Sequence, residues 1–150
     1  MPIKNYTTRV GEHATVSEIQ QILSSKGALG VQVDYDNGKP QAIRFVIEVD
    51  RIPVPFRLPC NFAGVQKALA KSESAKSRVL ARDPERVRRI SWRIVKDWID
   101  SQMALIEAEQ AAMAEVFLPY VVSDGGKTLY GYWREQILPA NRQLKTGEVQ

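Results

Sequence analysis

The fold of this chain depends on residues 86–98, RVRRISWRIVKDW, which place five basic side chains and two tryptophans among branched aliphatic residues. An α-helix turns about 100° per residue, so side chains three and four positions apart share a face. Basic residues recur here at spacings of 4, 3, 4 and 3, and they form a basic ridge that consists of Arg82, Arg86, Arg89, Arg93 and Lys96. The spacing predicts that this ridge faces water or a partner.

The same helix carries a wide apolar arc on another side. Its members are Val87, Ile90, Ile94, Val95, Trp98, Ile99, Leu105 and Ile106. An arc this wide predicts either that the sheet and the C-terminal segment clasp the helix or that part of the arc contacts another chain. Asp83 is a favourable N-cap and Pro84 a favourable first-turn residue, so we expect the helix to begin there and to run to about Ala114. The pattern leaves the burial of Arg88 and Trp92 open.

The N-terminal part of the chain predicts a strand followed by a helix. Residues 3–10, IKNYTTRV, have the β-branched and aromatic content of a strand. The spacing of Thr15 and Glu18 matches a capping box. We therefore expect a helix over residues 16–26, which Gly27 is placed to end.

An antiparallel hairpin is predicted next. Apolar and polar residues alternate on both sides of Asn37-Gly38, a dipeptide that favours a tight hairpin turn. The return strand is expected to bury one face, formed by Ile43, Phe45, Ile47 and Val49. The third extended segment contains residues that cannot donate ladder hydrogen bonds, so we expect it to lie at an edge or to break early; these residues are Pro53, Pro55 and Pro59.

The remaining segments complete an α+β pattern. Asn61 is a plausible cap for a short helix, and the polar residues 71–77, KSESAKS, predict a mobile connection. After the long helix we expect an extended piece, a Gly-Gly turn and a last short helix. The order β-α-β-β-β-α-α predicts helices on one face of a small, mostly antiparallel sheet. We expect residues 1–142 to form a single domain and residues 143–150 to be a disordered tail.

Positive charge concentrates between Lys67 and Lys96, where ten Lys and Arg residues stand against three acidic ones, although the whole chain carries only +4. Such asymmetry is typical of proteins that bind polyanions. We predict a nucleic-acid-binding surface, for DNA or RNA, made of the basic ridge together with Lys71, Lys76 and Arg78. Two alternatives stay open: a solvated face, and a surface that binds a host or phage protein or an antiparallel copy of the long helix.

Other classes of function are disfavoured. No run of about 18 apolar residues is present and the N-terminus lacks the apolar core of a signal peptide, so we expect a cytoplasmic protein with no membrane partner. One cysteine, Cys60, and one histidine do not suffice for a zinc site. The DGGKT stretch at 124–128 has Val121 where a phosphate-binding loop needs glycine. With no nucleophile–base pair, and with Asp34 and Asp36 as the one carboxylate pair singled out, we expect neither catalysis nor a cofactor.

Six segments taken together resemble a group of small uncharacterised proteins encoded by bacteriophages and prophages. The segments are IKNYTT (3–8), TVSEIQ (15–20), YDNGKPQAI (35–43), PFRLP (55–59), WRIVKDWIDSQMALIE (92–107) and EVFLPY (115–120). The resemblance spans residues 3–131 and implies a phage or mobile-element setting in a bacterial cytoplasm. Small proteins of that setting often handle nucleic acid or block a host protein, and the group offers no functional residues to carry over.

Overall fold

Two tight turns fold residues 30–59 into a three-stranded antiparallel sheet, whose strands in spatial order are β1 (Gly30–Asp36), β2 (Lys39–Val49) and β3 (Ile52–Pro59). Asn37 and Gly38 join β1 to β2 with φ angles of 51° and 74°. Asp50 and Arg51 join β2 to β3 with φ angles of 50° and 68°. Positive φ at both central residues matches the right-handed twist of paired strands. The predicted hairpin is confirmed, and the proline-containing β3 is an edge strand as expected.

The computed structural model describes residues 3–123 and 125–142, so the predicted tail at 143–150 lies outside the described residues. The helices of this part are α1 (Glu12–Ser25), α2 (Phe62–Ala70), α3 (Ala75–Leu80), α4 (Pro84–Glu107), α5 (Met113–Val116) and α6 (Leu129–Tyr132). A 3-10 turn spans Leu118–Tyr120, and a π-helical stretch, Trp133–Ile137, continues α6. The architecture is α+β, with the long α4 packed against α1. Within the described residues, no helix has both the length and the apolar character that a bilayer span requires.

The main core lies between the sheet and the helices. From β2 it takes Ile43, Phe45 and Ile47, while the intervening Arg44 and Glu48 are exposed, so the predicted alternation is confirmed. Phe45 stacks on Phe56 of β3 with ring centroids 5.0 Å apart. The helices complete the cluster with Val16, Ile19, Leu23, Trp92, Ile99 and Met103. The buried face of the sheet and the apolar arc of α4 therefore share one core.

The strand predicted at residues 3–10 is wrong. This N-terminal segment forms turns, with Asn5 at a φ of 64° and the N–H of Thr8 donating to the Asn5 carbonyl at 3.0 Å. Asn tolerates this left-handed conformation better than β-branched residues do. The Asn5 amide also donates to Asp97 Oδ2 at 2.7 Å, which ties the segment to α4. Ile3 and Tyr6 pack on a second apolar cluster, made of Leu69, Leu80, Ala81, Val87 and Ile90. A contact 92 residues away in the sequence thus replaces strand pairing.

The capping box predicted at Thr15 is also wrong, because α1 begins at Glu12 with Gly11 as its N-cap. Thr15 is fully buried inside the helix, and its hydroxyl oxygen accepts a hydrogen bond from Arg93 at 3.4 Å. The predicted end of this helix is confirmed. Gly27 has a φ of 102°, and the next N–H, of Ala28, donates to the carbonyl of Leu23 at 3.1 Å.

The connection predicted to be mobile at residues 71–77 instead leads into α3. The Ser74 hydroxyl accepts the Ser77 N–H at 3.4 Å and caps the helix, and Ser77 and Leu80 are buried. The expected Asn61 cap of α2 is confirmed, since its Oδ1 accepts the Gly64 N–H at 2.9 Å. Burial of an apolar residue at the end of α3 outweighs the polar composition that precedes it.

The long helix begins where the sequence predicts and ends earlier than expected. Asp83 caps it by accepting the N–H groups of Glu85 and Arg86, and Pro84 occupies the first turn. It ends at Glu107 rather than near Ala114, followed by Glu109 at a φ of 56°. The burial of Trp92, which the pattern left open, is complete, whereas Leu105 from the predicted apolar arc is 41% exposed.

Replacing Trp92 by alanine should lower the free energy of unfolding by about 3 kcal/mol, the lower end of the usual cost of a buried aromatic truncation. The lower end is expected because the indole N–H has no hydrogen-bond partner in the described part of the chain, so its removal also relieves a desolvated donor. Urea unfolding followed by circular dichroism measures the change. The matched control is Trp133→Ala on the exposed C-terminal helix, which should cost less than about 1 kcal/mol. Equal losses for the two variants would contradict the core assignment.

Candidate polyanion-binding surface

The C-terminal half of the basic ridge does not face water. Arg93 Nη1 donates to Glu18 Oε2 at 2.6 Å, and Lys96 Nζ lies 2.8 Å from Asp100 Oδ2 and 4.0 Å from Glu18 Oε2. The Arg93 and Lys96 side chains are only 19% and 18% exposed. Both cations lie where α4 packs against α1. The prediction that the whole ridge faces water or a partner is therefore wrong for these two residues, which help to hold the helices together.

The N-terminal half of the ridge remains at the surface. Arg86 Nε lies 3.4 Å from Asp83 Oδ2, and Arg89 Nη2 lies 2.5 Å from Glu85 Oε1. Both pairs are local to the start of α4 and solvent-accessible, so each contributes less than about 1 kcal/mol and leaves the other guanidinium N–H groups available. Arg82 is exposed and has no ion pair within the described residues.

The N-terminal segment, α3 and α4 enclose a hollow of about 340 Å³, which we call the anion hollow. Its lining contains four cations from three parts of the chain, Arg9, Lys76, Arg86 and Arg89, together with the hydroxyl-bearing Tyr6, Thr7 and Thr8. None of the described residues that line it is acidic. Arg9 and Lys76 are exposed and have no carboxylate partner in the described part of the chain. Four cations with no lining carboxylate make this hollow a favourable environment for an anion.

A second basic hollow, of about 420 Å³, lies on the other side of α3. Its cations are Lys67, Arg78 and Arg82, and none of its described lining residues is acidic. Arg78 Nη1 donates to the carbonyls of Ser72 and Glu73, at 2.8 Å each, which fixes the position of its guanidinium. The cations that line the two hollows around α3 are together called the basic corner: Arg9, Lys67, Lys76, Arg78, Arg82, Arg86 and Arg89.

The basic corner overlaps the predicted site only in part. It keeps Lys76, Arg78, Arg82, Arg86 and Arg89 of the predicted residues. Predicted Lys71 is the C-cap of α2 and is exposed, but it lines neither hollow. The sequence pattern missed Arg9 and Lys67 as site residues. Lys67 lies in the positively charged stretch, so its composition could have indicated it. Arg9 lies in residues 3–10, for which a strand was predicted.

Arg88, whose burial the pattern left open, has a structural role. Its side chain is 11% exposed, and its Nε donates to Glu12 Oε2 at 2.6 Å. A terminal N–H donates to the Pro40 carbonyl, and the guanidinium lies 4.0 Å from the centre of the Phe62 ring. These contacts join the start of α1, the first hairpin and α2 to α4, so Arg88 is not part of the candidate surface.

The contact between Asn5 and Asp97 positions the segment that supplies Arg9. Burial raises the pKa of the Asp97 carboxyl, but hydrogen bonds from Asn5 and Lys4 and the charges of Lys4 and Lys96 outweigh burial. The pKa of Asp97 is therefore below its ordinary value of 3.8. An ionised Asp97 keeps the N-terminal segment docked on α4.

An apolar cleft of about 420 Å³ opens between β3, α2 and α4. Three members of the apolar arc line it, Ile94, Val95 and Trp98, so part of the arc is not covered by the described residues. Cys60 also lines the cleft, and burial raises the pKa of its thiol to about 12, although the nearby Arg88 acts in the opposite direction. A thiol with this pKa is neutral at pH 7 and is a poor nucleophile.

Of the two carboxylates singled out as a possible site, Asp34 is engaged in ion pairs within the sheet and Asp36 is exposed on the hairpin. Asp34 Oδ2 accepts from Arg44 Nε at 2.8 Å and lies 3.4 Å from Arg57 Nε. Across the described residues, no group of three His, Cys, Asp or Glu side chains is arranged to hold a metal ion. Gly126 donates its N–H to the Ser123 carbonyl at 3.0 Å, so the glycines of the DGGKT stretch belong to a turn.

No protein-family model, curated protein or solved structure matches this chain. The resemblance to small phage-encoded proteins therefore stays a prediction. The basic corner gathers cations from the N-terminal segment, α2, α3 and the start of α4, and it is the candidate functional site.

Asp97→Asn should lower stability by about 0.5–1 kcal/mol at pH 7, because the ion pair with the exposed Lys4 is lost and the hydrogen bond from Asn5 no longer ends on a charged acceptor. The folded-state pKa of Asp97 lies below the unfolded value, so its stabilisation is fully present above about pH 4 and is lost as the pH falls through the folded-state pKa. Urea unfolding at pH 7 and at successively lower pH should show the difference between wild type and variant shrinking. Asp36→Asn, at an exposed carboxyl on the hairpin, is the control and should leave stability at pH 7 unchanged. A difference that grows on acidification would contradict this account.

Arg93→Ala and Arg86→Ala should differ in how much they lower the free energy of unfolding. Arg93→Ala should cost about 1–2 kcal/mol of stability, because it removes charge-assisted hydrogen bonds between α1 and α4. Arg86→Ala should change stability by less than about 0.5 kcal/mol, because its ion pair is exposed. Thermal and urea unfolding measure both. If Arg93→Ala left stability unchanged and instead weakened polyanion binding, the assignment of Arg93 to the helix interface would be wrong.

Proposed function

We propose that this protein is a non-enzymatic nucleic-acid-binding accessory protein whose contact surface is the basic corner. The observation that carries the proposal is that seven cations line two hollows, each of which includes residues of α3 and neither of which any described acidic residue lines. Phosphates are the groups that such a surface attracts, because lysine and arginine neutralise them and release condensed counterions. The setting implied by the resemblance, a phage or mobile element in a bacterial cytoplasm, is part of the same proposal.

The distribution of ion pairs supports the location of the contact surface on α4. Arg88 and Arg93 of α4 are half-buried and pair with carboxylates of α1, whereas Lys96 pairs with Asp100 one turn further along α4. Cations of the basic corner instead pair only with neighbours on their own helix start, or have no ion pair in the described part of the chain. An incoming phosphate competes with weak, solvated pairs at the corner, and it would have to break stronger ones further along the helix.

The second candidate function is a protein-binding module that uses the apolar cleft, for a host protein or for a second copy of this chain. The observation that favours it is the accessible apolar surface of Ile94, Val95 and Trp98 beside β3. A cleft of this volume and apolar lining is large enough to bury apolar groups of a ligand, which here would be side chains of the partner protein. The two candidates use different surfaces, so variants in the basic corner distinguish them.

The experiment is fluorescence anisotropy with labelled single-stranded and duplex oligonucleotides across a salt series. Lys76→Glu combined with Arg82→Glu removes one cation from each hollow of the basic corner. The slope of log K against log salt should then fall by about 1.8 for duplex DNA, because about two phosphate contacts are lost. The matched control is Lys127→Glu combined with Arg134→Glu, which changes the net charge equally on the C-terminal segment.

The control double variant should retain most of the binding, because its substitutions lie outside the basic corner. It lowers the net charge of the protein by the same amount but leaves the proposed contact surface intact. Equal weakening by the two double variants would show attraction by net charge and would reject the basic corner as the surface. Absence of binding by the wild type at low salt would reject nucleic acid as the ligand, and it would leave the apolar cleft as the remaining candidate surface.

A further inference from the structure

The anion hollow differs from a phosphate-contacting ridge in its shape. Three separate parts of the chain surround it: the N-terminal segment, α3 and α4. A helix ridge contacts the backbone of a passing strand from outside, and its contacts need no enclosure. A hollow bounded on several sides admits a group that ends inside it more readily than a strand that must enter and leave.

The donors at the hollow are numerous and largely uncommitted. Arg86 uses only Nε in its ion pair, and Arg89 uses only Nη2. Thr8 Oγ1 already accepts the N–H of Val10 at 3.3 Å, which leaves its hydroxyl hydrogen to donate. Lys76 Nζ lies 6.0 Å from the centre of the Tyr6 ring, a position that holds this ammonium at the border of the hollow. Cations and hydroxyl donors at one place suit a group with several charged acceptor oxygens.

We propose that the anion hollow binds a phosphomonoester, the group that ends a phosphorylated nucleic-acid strand or a free nucleotide. A phosphomonoester carries a charge of about −1.5 to −2 at pH 7 and three strong acceptor oxygens. Each internal phosphodiester of a strand carries a single negative charge. Four lining cations, of which Arg9 and Lys76 have no carboxylate partner in the described part of the chain, therefore favour the end of a strand over its interior. This inference rests on the proposed function and names the chemical group that the same surface selects.

The volume of the hollow, about 340 Å³, exceeds what a phosphate group alone occupies. Part of the terminal nucleotide can therefore enter with its phosphate. The second basic hollow, beyond α3, is then placed to contact the following phosphates of the strand through Arg78 and Arg82. The anion hollow would thus select the phosphorylated end of a strand. The second hollow would attract the following phosphates irrespective of the base sequence.

The test compares oligonucleotides of one sequence that carry a 5′-phosphate, a 3′-phosphate or hydroxyls at both ends, bound to the full-length protein and measured by anisotropy. We expect at least one phosphorylated end to bind about tenfold more tightly than the hydroxyl form, the gain typical of added charge-assisted hydrogen bonds. Adenosine monophosphate and inorganic phosphate serve as competitors. Competition by the mononucleotide at the affinity of the phosphorylated strand would assign a free nucleotide as the ligand, and weaker competition would assign the strand end.

Two single variants locate the effect. Arg9→Gln removes a cation of the anion hollow and should reduce the tenfold preference to less than about twofold, because the terminal phosphate loses a donor. Arg82→Gln is the matched control in the second hollow, and it should weaken all of the oligonucleotides by the same factor.

Equal affinities for the phosphorylated and hydroxyl forms, with both bound in a salt-dependent way, would overturn this inference and leave the proposed function standing. Failure of every oligonucleotide to bind at low salt would overturn both. Loss of the preference in Arg82→Gln but not in Arg9→Gln would also overturn the assignment to the anion hollow.

Discussion

The contact of Arg93 with Glu18 and Thr15 is the interaction on which the arrangement of the basic residues depends. It joins the middle of α4 to α1, and Thr15 is fully buried. Because α1 covers this part of α4, the basic ridge is divided into a half that packs and a half that remains accessible. The accessible half then meets α3 and the N-terminal segment, which contribute further cations. The packing of α1 on α4, of which this contact is one part, thereby determines where positive charge is available to a ligand.

The features that the sequence could predict are those decided by neighbouring residues. The Asn37-Gly38 turn, the Asp83 cap and the alternation along β2 each depend on a few consecutive side chains, and each is confirmed. Residues 3–10 have strand-like composition, but a hydrogen bond between Asn5 and Asp97, 92 positions apart, determines their conformation. No local pattern contains that partner. The start of α3 could have been predicted, since Ser74 is a favourable N-cap residue, but the polar residues around it favoured a loop.

The candidate site shows the same division. Helical spacing places the arginines of α4 on one face, and this much follows from the sequence alone. Which of them are accessible depends on where α1 packs, and spacing does not contain that information. Arg9 joins Arg86 and Arg89 only because the N-terminal segment turns back over the start of α4. A surface assembled from three parts of the chain is a tertiary property, and periodicity within one helix describes only one of its walls.

The prolines of β3 affect whether the sheets of two copies of this protein can pair edge to edge. The carbonyl of Pro55 accepts the N–H of Val122, so the backbone polar groups of Pro55 point away from β2. Alternation places Pro53 and Pro59 in the same orientation, and the outer border of the sheet therefore lacks most of its amide donors while pairing with β2 is kept. Edge-to-edge sheet extension, a common route to aggregation, is blocked at this border without any loss of internal pairing.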